Sequence, residues 1–137
     1  MIVVDTSARI AIIQGEEEAA RLRAILERET SLVISAGTLA EVLVVATLRD
    51  LLDDTSELIK ALGLEVVPVT DSTADLVQQA YSRWGKGRDS AKLNLGDCFA
   101  YALAKERNCA LLVVGNDFSR TTSRRLSSPQ QLTRTSP

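Results

Sequence analysis

The sequence predicts an α/β fold in which a mainly parallel sheet of four or five strands is covered by helices on both faces. Three observations lead there. Short apolar runs alternate with longer helical segments, each run is continuously apolar, and two acids, Asp5 and Asp117, lie just past the ends of such runs. Continuous apolarity marks strands buried on both faces, as in parallel sheets. Positions just past the carboxyl ends of those strands are where such folds bind ligands.

Ile2 to Val4 reads as the first strand, and Ala8 to Gln14 as a short helix capped by Thr6 or Ser7 and closed by Gly15. Glu16 to Glu29 places Ala19, Ala20, Leu22, Ile25 and Leu26 on one side, with acids in its first turn where they complement the helix dipole. Leu32 to Ser35 is a second strand. Thr38 to Leu52 has helical length but is apolar nearly all round, and Asp53-Asp54-Thr55 caps a further helix running to Gly63. Glu65 to Val69 is a third strand whose Pro68 suits an end or an edge. Asp71 or Ser72 caps a helix through Trp84, followed by the polar loop Gly85-Lys86-Gly87-Arg88-Asp89-Ser90. Asn94 caps the next helix, Ala110 to Val114 forms a fourth strand, and Gln131 to Thr133 is a candidate short edge strand.

At 137 residues the chain suits one domain, here 1–137, with a basic segment from about 122 onward. A net charge of −2 gives no bulk attraction to nucleic acid or membrane, but the charge is unevenly spread. No acid follows Asp117, while Arg120, Arg124, Arg125 and Arg134 do; the remaining 12 basic residues face all 18 acids. Cys98 and Cys109 form no CxxC pair, and without histidine they cannot complete a four-ligand zinc site, so both are expected to be buried thiols. No basic leader or membrane-length apolar run is present, so a cytosolic protein is expected.

Asp5, Glu41, Asp97 and Asp117 are acids with strongly apolar neighbours. Each has an ordinary structural explanation: a turn or cap for Asp5, an ion pair with Arg9 or Arg49 for Glu41, a capping box with Asn94 for Asp97, an Asx turn for Asp117. These are four separate coincidences, whereas a divalent-metal site is a single cause. Two like charges about 4 Å apart repel by about 4 kcal/mol at an effective dielectric near 20, so clustered acids call for a cation. Mg²⁺ or Mn²⁺, which prefer carboxylate and water oxygens, are the ions expected. The absence of histidine excludes an imidazole acid/base pair, leaving metal-activated water as the route to any phosphodiester cleavage.

Val3-Val4-Asp5-Thr6-Ser7-Ala8, the helix acid Glu41, Leu95-Gly96-Asp97-Cys98-Phe99-Ala100-Tyr101-Ala102-Leu103-Ala104 and Gly115-Asn116-Asp117-Phe118-Ser119-Arg120-Thr121 together resemble a PIN-domain ribonuclease of the VapC toxin type. The resemblance runs from Met1 to about Thr121. It implies a three-layer α/β/α domain, Mg²⁺- or Mn²⁺-dependent endoribonuclease activity, a VapB-like antitoxin partner and a homodimer. It makes Asp5, Glu41, Asp97 and Asp117 the catalytic acids, with Asp5 and Asp97 the most direct metal ligands and Glu41 and Asp117 acting directly or through water.

The chain also departs from the family pattern. Asn116 and Thr122 stand where relatives often carry acids, Val113 and Val114 replace a frequent Ser or Thr, and the loop reads Gly-Arg-Asp-Ser-Ala rather than Gly-Arg-His-Pro-Ala. These changes bear on a second metal position and on substrate contact. They keep open a catalytically weakened PIN-like module that binds RNA or protein without cutting. A phosphatase using Asp5 as nucleophile is disfavoured, because Ser7 stands where the Asp-x-Asp pattern needs its second acid.

An RNA substrate approaching an acidic body needs local cations, and Lys86, Arg88, Lys92 and Arg120 are the candidates. With aromatic residues at only 4%, base stacking offers little, and a structured target such as a transfer RNA loop is compatible. The apolar Thr38 to Leu52 helix is either an ordinary core helix or, with the helices before it, a groove for an amphipathic antitoxin segment; the sequence does not separate the two.

Overall fold

The computed structural model describes residues 1–5, 24, 27, 28, 31–84, 94–114 and 121–125. Five strands form one sheet: β1 (Ile2–Val4), β2 (Leu32–Ser35), β3 (Glu65–Val67), β4 (Ala110–Val114) and β5 (Thr121–Arg125), in the order β3-β2-β1-β4-β5. Strands β1 to β4 pair in parallel, and β5 closes one edge antiparallel to β4, pairing Val113 with Thr122 and Val114 with Thr121. The expected mainly parallel sheet is therefore present. Its fifth strand is Thr121–Arg125, in the segment expected to be a basic tail, and Gln131 to Thr133 lie outside the described residues.

Four helices are described in full: α1 (Ala36–Leu48), α2 (Leu52–Leu62), α3 (Asp71–Trp84) and α4 (Leu95–Arg107). Residues 24, 27 and 28 are helical, within the expected Glu16 to Glu29 segment, whereas the Ala8 to Gln14 helix lies outside the described residues. Helix α1 starts two residues before its expected position because Ser35, the last residue of β2, caps it: its Oγ accepts from Gly37 N–H at 3.2 Å. Contrary to expectation, α2 has no side-chain cap. Asp53 and Asp54 sit inside its first turn, and the buried Thr55 hydroxyl donates to the Leu51 carbonyl at 2.7 Å. Gly63 closes α2 in the left-handed conformation at φ 62°, which a residue with a Cβ adopts only under strain. The cap of α3 is Thr70, one position earlier than Asp71: its Oγ1 accepts from Thr73 N–H at 3.3 Å. Strand β3 stops before Pro68, and its Val66 is 42% exposed, as an edge strand permits.

Strand residues divide between two cores by parity. Val3, Val33 and Leu111 face Val77 and Ala80 of α3 and the buried side of α4, while Ile2, Val4, Leu32 and Leu112 pack against Leu58 and Leu62 of α2 and Leu64. Both faces are covered, and fully burying each of these aliphatic side chains contributes about 1.5–3 kcal/mol. The chain passes from β1 outward through β2 to β3, then crosses back to place β4 on the other side of β1. The switch in winding direction therefore lies between β1 and β4, the crevice where open α/β sheets bind ligands.

Candidate active site

Asp5 stands at the mouth of that crevice. It directly follows β1, its backbone N–H donates to the Leu112 carbonyl of β4 at 3.4 Å, and its residue is only 9% exposed. Two positions after Val3, it takes Val3's side of the sheet, the side covered by α4. The sequence thus delivers a carboxyl group to the N-terminal end of α4 by strand alternation alone.

Helix α4 supplies the second acid through its own start signal. The Asn94 Oδ1 accepts from Asp97 N–H at 2.8 Å, and Asp97 Oδ2 accepts from Asn94 N–H at 3.0 Å, a reciprocal capping box. The capping explanation for Asp97 is therefore correct, and it leaves the functional one standing. One carboxyl oxygen is fixed by the cap, and Oδ1 takes no hydrogen bond among the described residues.

Glu41 arrives from α1, and the way it arrives was not legible in the sequence. Helices α1 and α4 cross with a glycine on each side of the contact. The Phe99 ring of α4 lies over Gly37, and the Glu41 carboxyl of α1 lies over Gly96. Gly37 and Glu41 are one turn apart on α1, and Gly96 and Phe99 are one turn apart on α4, so each helix receives a side chain from the other on the same pair of faces. A Cβ at Gly96 would overlap both oxygens and Cδ of Glu41; a Cβ at Gly37 would overlap the ring. Neither glycine has positive φ, so their role is close approach rather than backbone freedom. A glycine inside a helical pattern is the only signal that could have found them.

The electrostatics show that the three acids share one neighbourhood. Burial, and then the charge of Asp5, pushes the Glu41 carboxyl above its ordinary value. Burial raises Asp97 from 3.8 to about 6 against the lowering effect of the Asn94 N–H, with the charges of Asp5 and Glu41 adding to the rise. Neither Glu41 nor Asp97 has an ion pair among the described residues, which sets aside the Arg49 salt bridge; Arg9 lies outside them. One turn before Glu41, the fully buried Thr38 hydroxyl has no hydrogen-bond partner among the described residues. Burial and the Asp97 charge push the neighbouring Cys98 thiol up to about 11, and both cysteines are buried and free, as expected.

Among the described residues no three Asp, Glu, His or Cys side chains form a ready-made metal cage. The cluster instead comprises carboxyl groups close enough to feel one another, with hard oxygen donors only, and a chemistry that suits Mg²⁺ or Mn²⁺. Asp117 lies outside the described residues, as do Lys86, Arg88, Lys92 and Arg120.

A PIN-domain family model matches residues 2–123. Ribonuclease VapC36 of Mycobacterium tuberculosis is 44% identical over 124 residues, which cover 88% of this chain and 89% of that protein. Among solved structures, M. tuberculosis VapC20, a toxin that cleaves the sarcin–ricin loop, superposes with a TM-score of 0.66 at 18% identity, covering 92% of this chain and 100% of that one. A toxin–antitoxin complex from Klebsiella pneumoniae gives a TM-score of 0.63 at 22% identity, covering 87% of this chain and 91% of that one. At those identities the two structures speak to the fold alone, and the match to VapC36 over most of both chains speaks to the family. The chain belongs to the PIN-domain family, among its VapC-type members.

Proposed function

We propose that this chain is the toxin of a toxin–antitoxin pair and acts as a divalent-metal-dependent endoribonuclease. The observation that carries the reading is the convergence of Asp5, Glu41 and Asp97 at the β1–β4 crevice of a chain without histidine, with the last two raised in pKa. Kinship with proteins named VapC ribonucleases supports the nuclease and toxin roles.

Asp5 and Asp97 would hold a Mg²⁺ or Mn²⁺ ion most directly, with Glu41 and Asp117 completing its shell directly or through water. A bound divalent ion lowers the pKa of a water molecule and offsets charge on the phosphate during an in-line displacement. The protein's part is to fix the acids in advance. The capping box holds Asp97 by one oxygen and leaves Oδ1 for the site, the β4 carbonyl holds the Asp5 backbone, and Gly96 gives Glu41 room over α4. Glu41, raised in pKa, would orient the attacking water and accept its proton. Lys86, Arg88, Lys92 and Arg120 would position the RNA backbone.

For the antitoxin, α1 offers a surface. Val44 is 60% exposed and Leu48, one turn on, is 81% exposed, with Leu52 of α2 at 42%. This apolar strip suits the amphipathic segment of a VapB-like partner, and a partner arginine reaching the carboxylates would neutralise them. Alanine in place of that arginine relieves inhibition if this electrostatic account holds; undiminished inhibition contradicts it. A homodimer of the toxin completes the proposed assembly.

The test is Asp97→Asn. The amide keeps an acceptor for the Asn94 N–H, so the variant folds, but it loses Mn²⁺ binding and RNA cleavage. Cleavage retained by a clean preparation refutes the reading, and a wild-type chain that binds RNA but takes up no Mn²⁺ and cuts nothing is a binding module instead.

A further inference from the structure

The C-terminal half of α3 and the adjoining stretch of α4 line an open cavity of about 340 Å³ that belongs to neither the carboxylate cluster nor the α1 strip. Its floor includes Ala80 and Ala102, and its polar lining is Gln79, Arg83, Tyr101 and Lys105. Among the described residues no acid lines it, although the chain has more acids than bases. The Lys105 ammonium and the Gln79 amide make no hydrogen bond or ion pair within the described structure. Tyr101 and Arg83 both line it; burial raises the Tyr101 phenol above its ordinary value, and the positive charge of Arg83 acts against that rise.

Arg83 and Lys105 each lie in the last turn of their helix, where a cation complements the dipole. That accounts for their presence but not for their sharing one cavity with the Gln79 amide and with no acid among the described residues. The geometry along α4 adds direction. Asp97, Tyr101 and Lys105 follow at one-turn intervals, about 6 Å of rise each, so the cavity extends one and two turns along the helix from the carboxylate cluster. That interval matches the separation of successive phosphates on an extended nucleic-acid strand.

We propose that this α3–α4 cavity binds a backbone phosphate of the RNA strand outside the bond that is cut. Arg83 and Lys105 supply charge, and the Gln79 amide donates to a phosphate oxygen. The inference rests on the ribonuclease reading for the identity of the ligand, but its test requires no cleavage.

The full chain is titrated with a 2′-O-methyl RNA oligonucleotide in EDTA, following fluorescence anisotropy across a salt series, for wild type, Lys105→Glu and Arg83→Glu. In parallel, inorganic phosphate is titrated while the amide resonances of residues 79, 83, 101 and 105 are followed by NMR. Circular dichroism checks the fold of each variant. The expected result is RNA binding weakened about fivefold or more in either variant, a slope of log affinity against log salt reduced by about one, and phosphate shifts centred on those four residues. Unchanged affinity and slope in both variants overturn the proposal. If phosphate still moves the four resonances in that case, the cavity is a site for a small free phosphate rather than for RNA. RNA that binds with the expected Lys105 dependence but is never cut supports the cavity while contradicting the ribonuclease reading, so the two failures are distinct.

Discussion

Helix α4 meets its two neighbours in opposite ways. Toward α3 its buried side chains pack as ordinary core, Ala102 and Leu103 clustered with Val77 and Ala80, and the polar cavity of Arg83 and Lys105 lies at the rim of that contact. Toward α1 it presents a glycine to a carboxylate and inserts a phenyl ring over another glycine. The first contact is held by apolar burial. The second brings three acids into one neighbourhood, where the charge of Asp5 helps to raise Glu41 and the charges of Asp5 and Glu41 help to raise Asp97. Substitutions in the apolar core of the first contact and in the acid cluster of the second should fail in different ways.

The largest effect falls on the α1 side and on activity. Asp97→Asn, which retains the cap acceptor, should lower RNA cleavage about a hundredfold or more while leaving helix content by circular dichroism unchanged. If a cut in activity came only with lost helix content, the cap and not the site would be the cause. On the α3 side, Leu103→Ala removes a side chain 1% exposed in a closed cluster and should destabilise by about 2–5 kcal/mol in chemical denaturation. Its affinity for Mn²⁺ at a temperature where it is folded should match wild type.

Two glycine variants divide the α1 contact itself. Gly37→Ala drives a methyl into the Phe99 ring, which is half-buried and packed against the core, and should cost about 1–3 kcal/mol. Gly96→Ala meets only the end of the flexible Glu41 side chain, which can swing away. It should leave stability unchanged or raise it by up to about 1 kcal/mol through helix propensity, yet reduce cleavage. Equal loss of stability in the two would mean that Glu41 is as fixed as Phe99.

The smallest effect is the pH dependence of the metal-free protein. Asp97 is raised from 3.8 to about 6, so between those values the folded chain holds a proton that the unfolded chain has released. Stability therefore falls as pH rises through this window and stays lower above it. In EDTA, Asp97→Asn should melt a few degrees above wild type at pH 7, and the gap should close by about pH 4. A gap independent of pH would show that Asp97 does not carry the cluster's repulsion.

Much of this arrangement was legible before the structure. Val3, Val33 and Leu111 could be assigned to strands because a sheet buried on both faces leaves no polar alternation, and Asp5 followed as the residue past a strand end. Helix starts were less legible, because a cap depends on which hydroxyl the local backbone aims at an N–H. Ser35 and Thr70 take that role ahead of the positions expected, and α2 starts with no side-chain cap. The acids Glu41 and Asp97 stood out as charges in apolar helices, but their glycine partners did not. What Gly37 and Gly96 accommodate comes from another helix, so their role depends on tertiary contact that no local pattern records. Likewise, nothing local in the sequence pairs Arg83 with Lys105; the packing of α3 on α4 brings them to one cavity.

The central claim is that Asp5, Glu41 and Asp97 form a metal centre and not a set of unrelated buried acids. Calorimetric titration of Mn²⁺ into wild type and Asp97→Asn at pH 7 tests it most directly. The account predicts saturable binding to wild type, accompanied by a higher melting temperature, and neither in the variant. Equal Mn²⁺ binding by both proteins, or none by wild type, would contradict it.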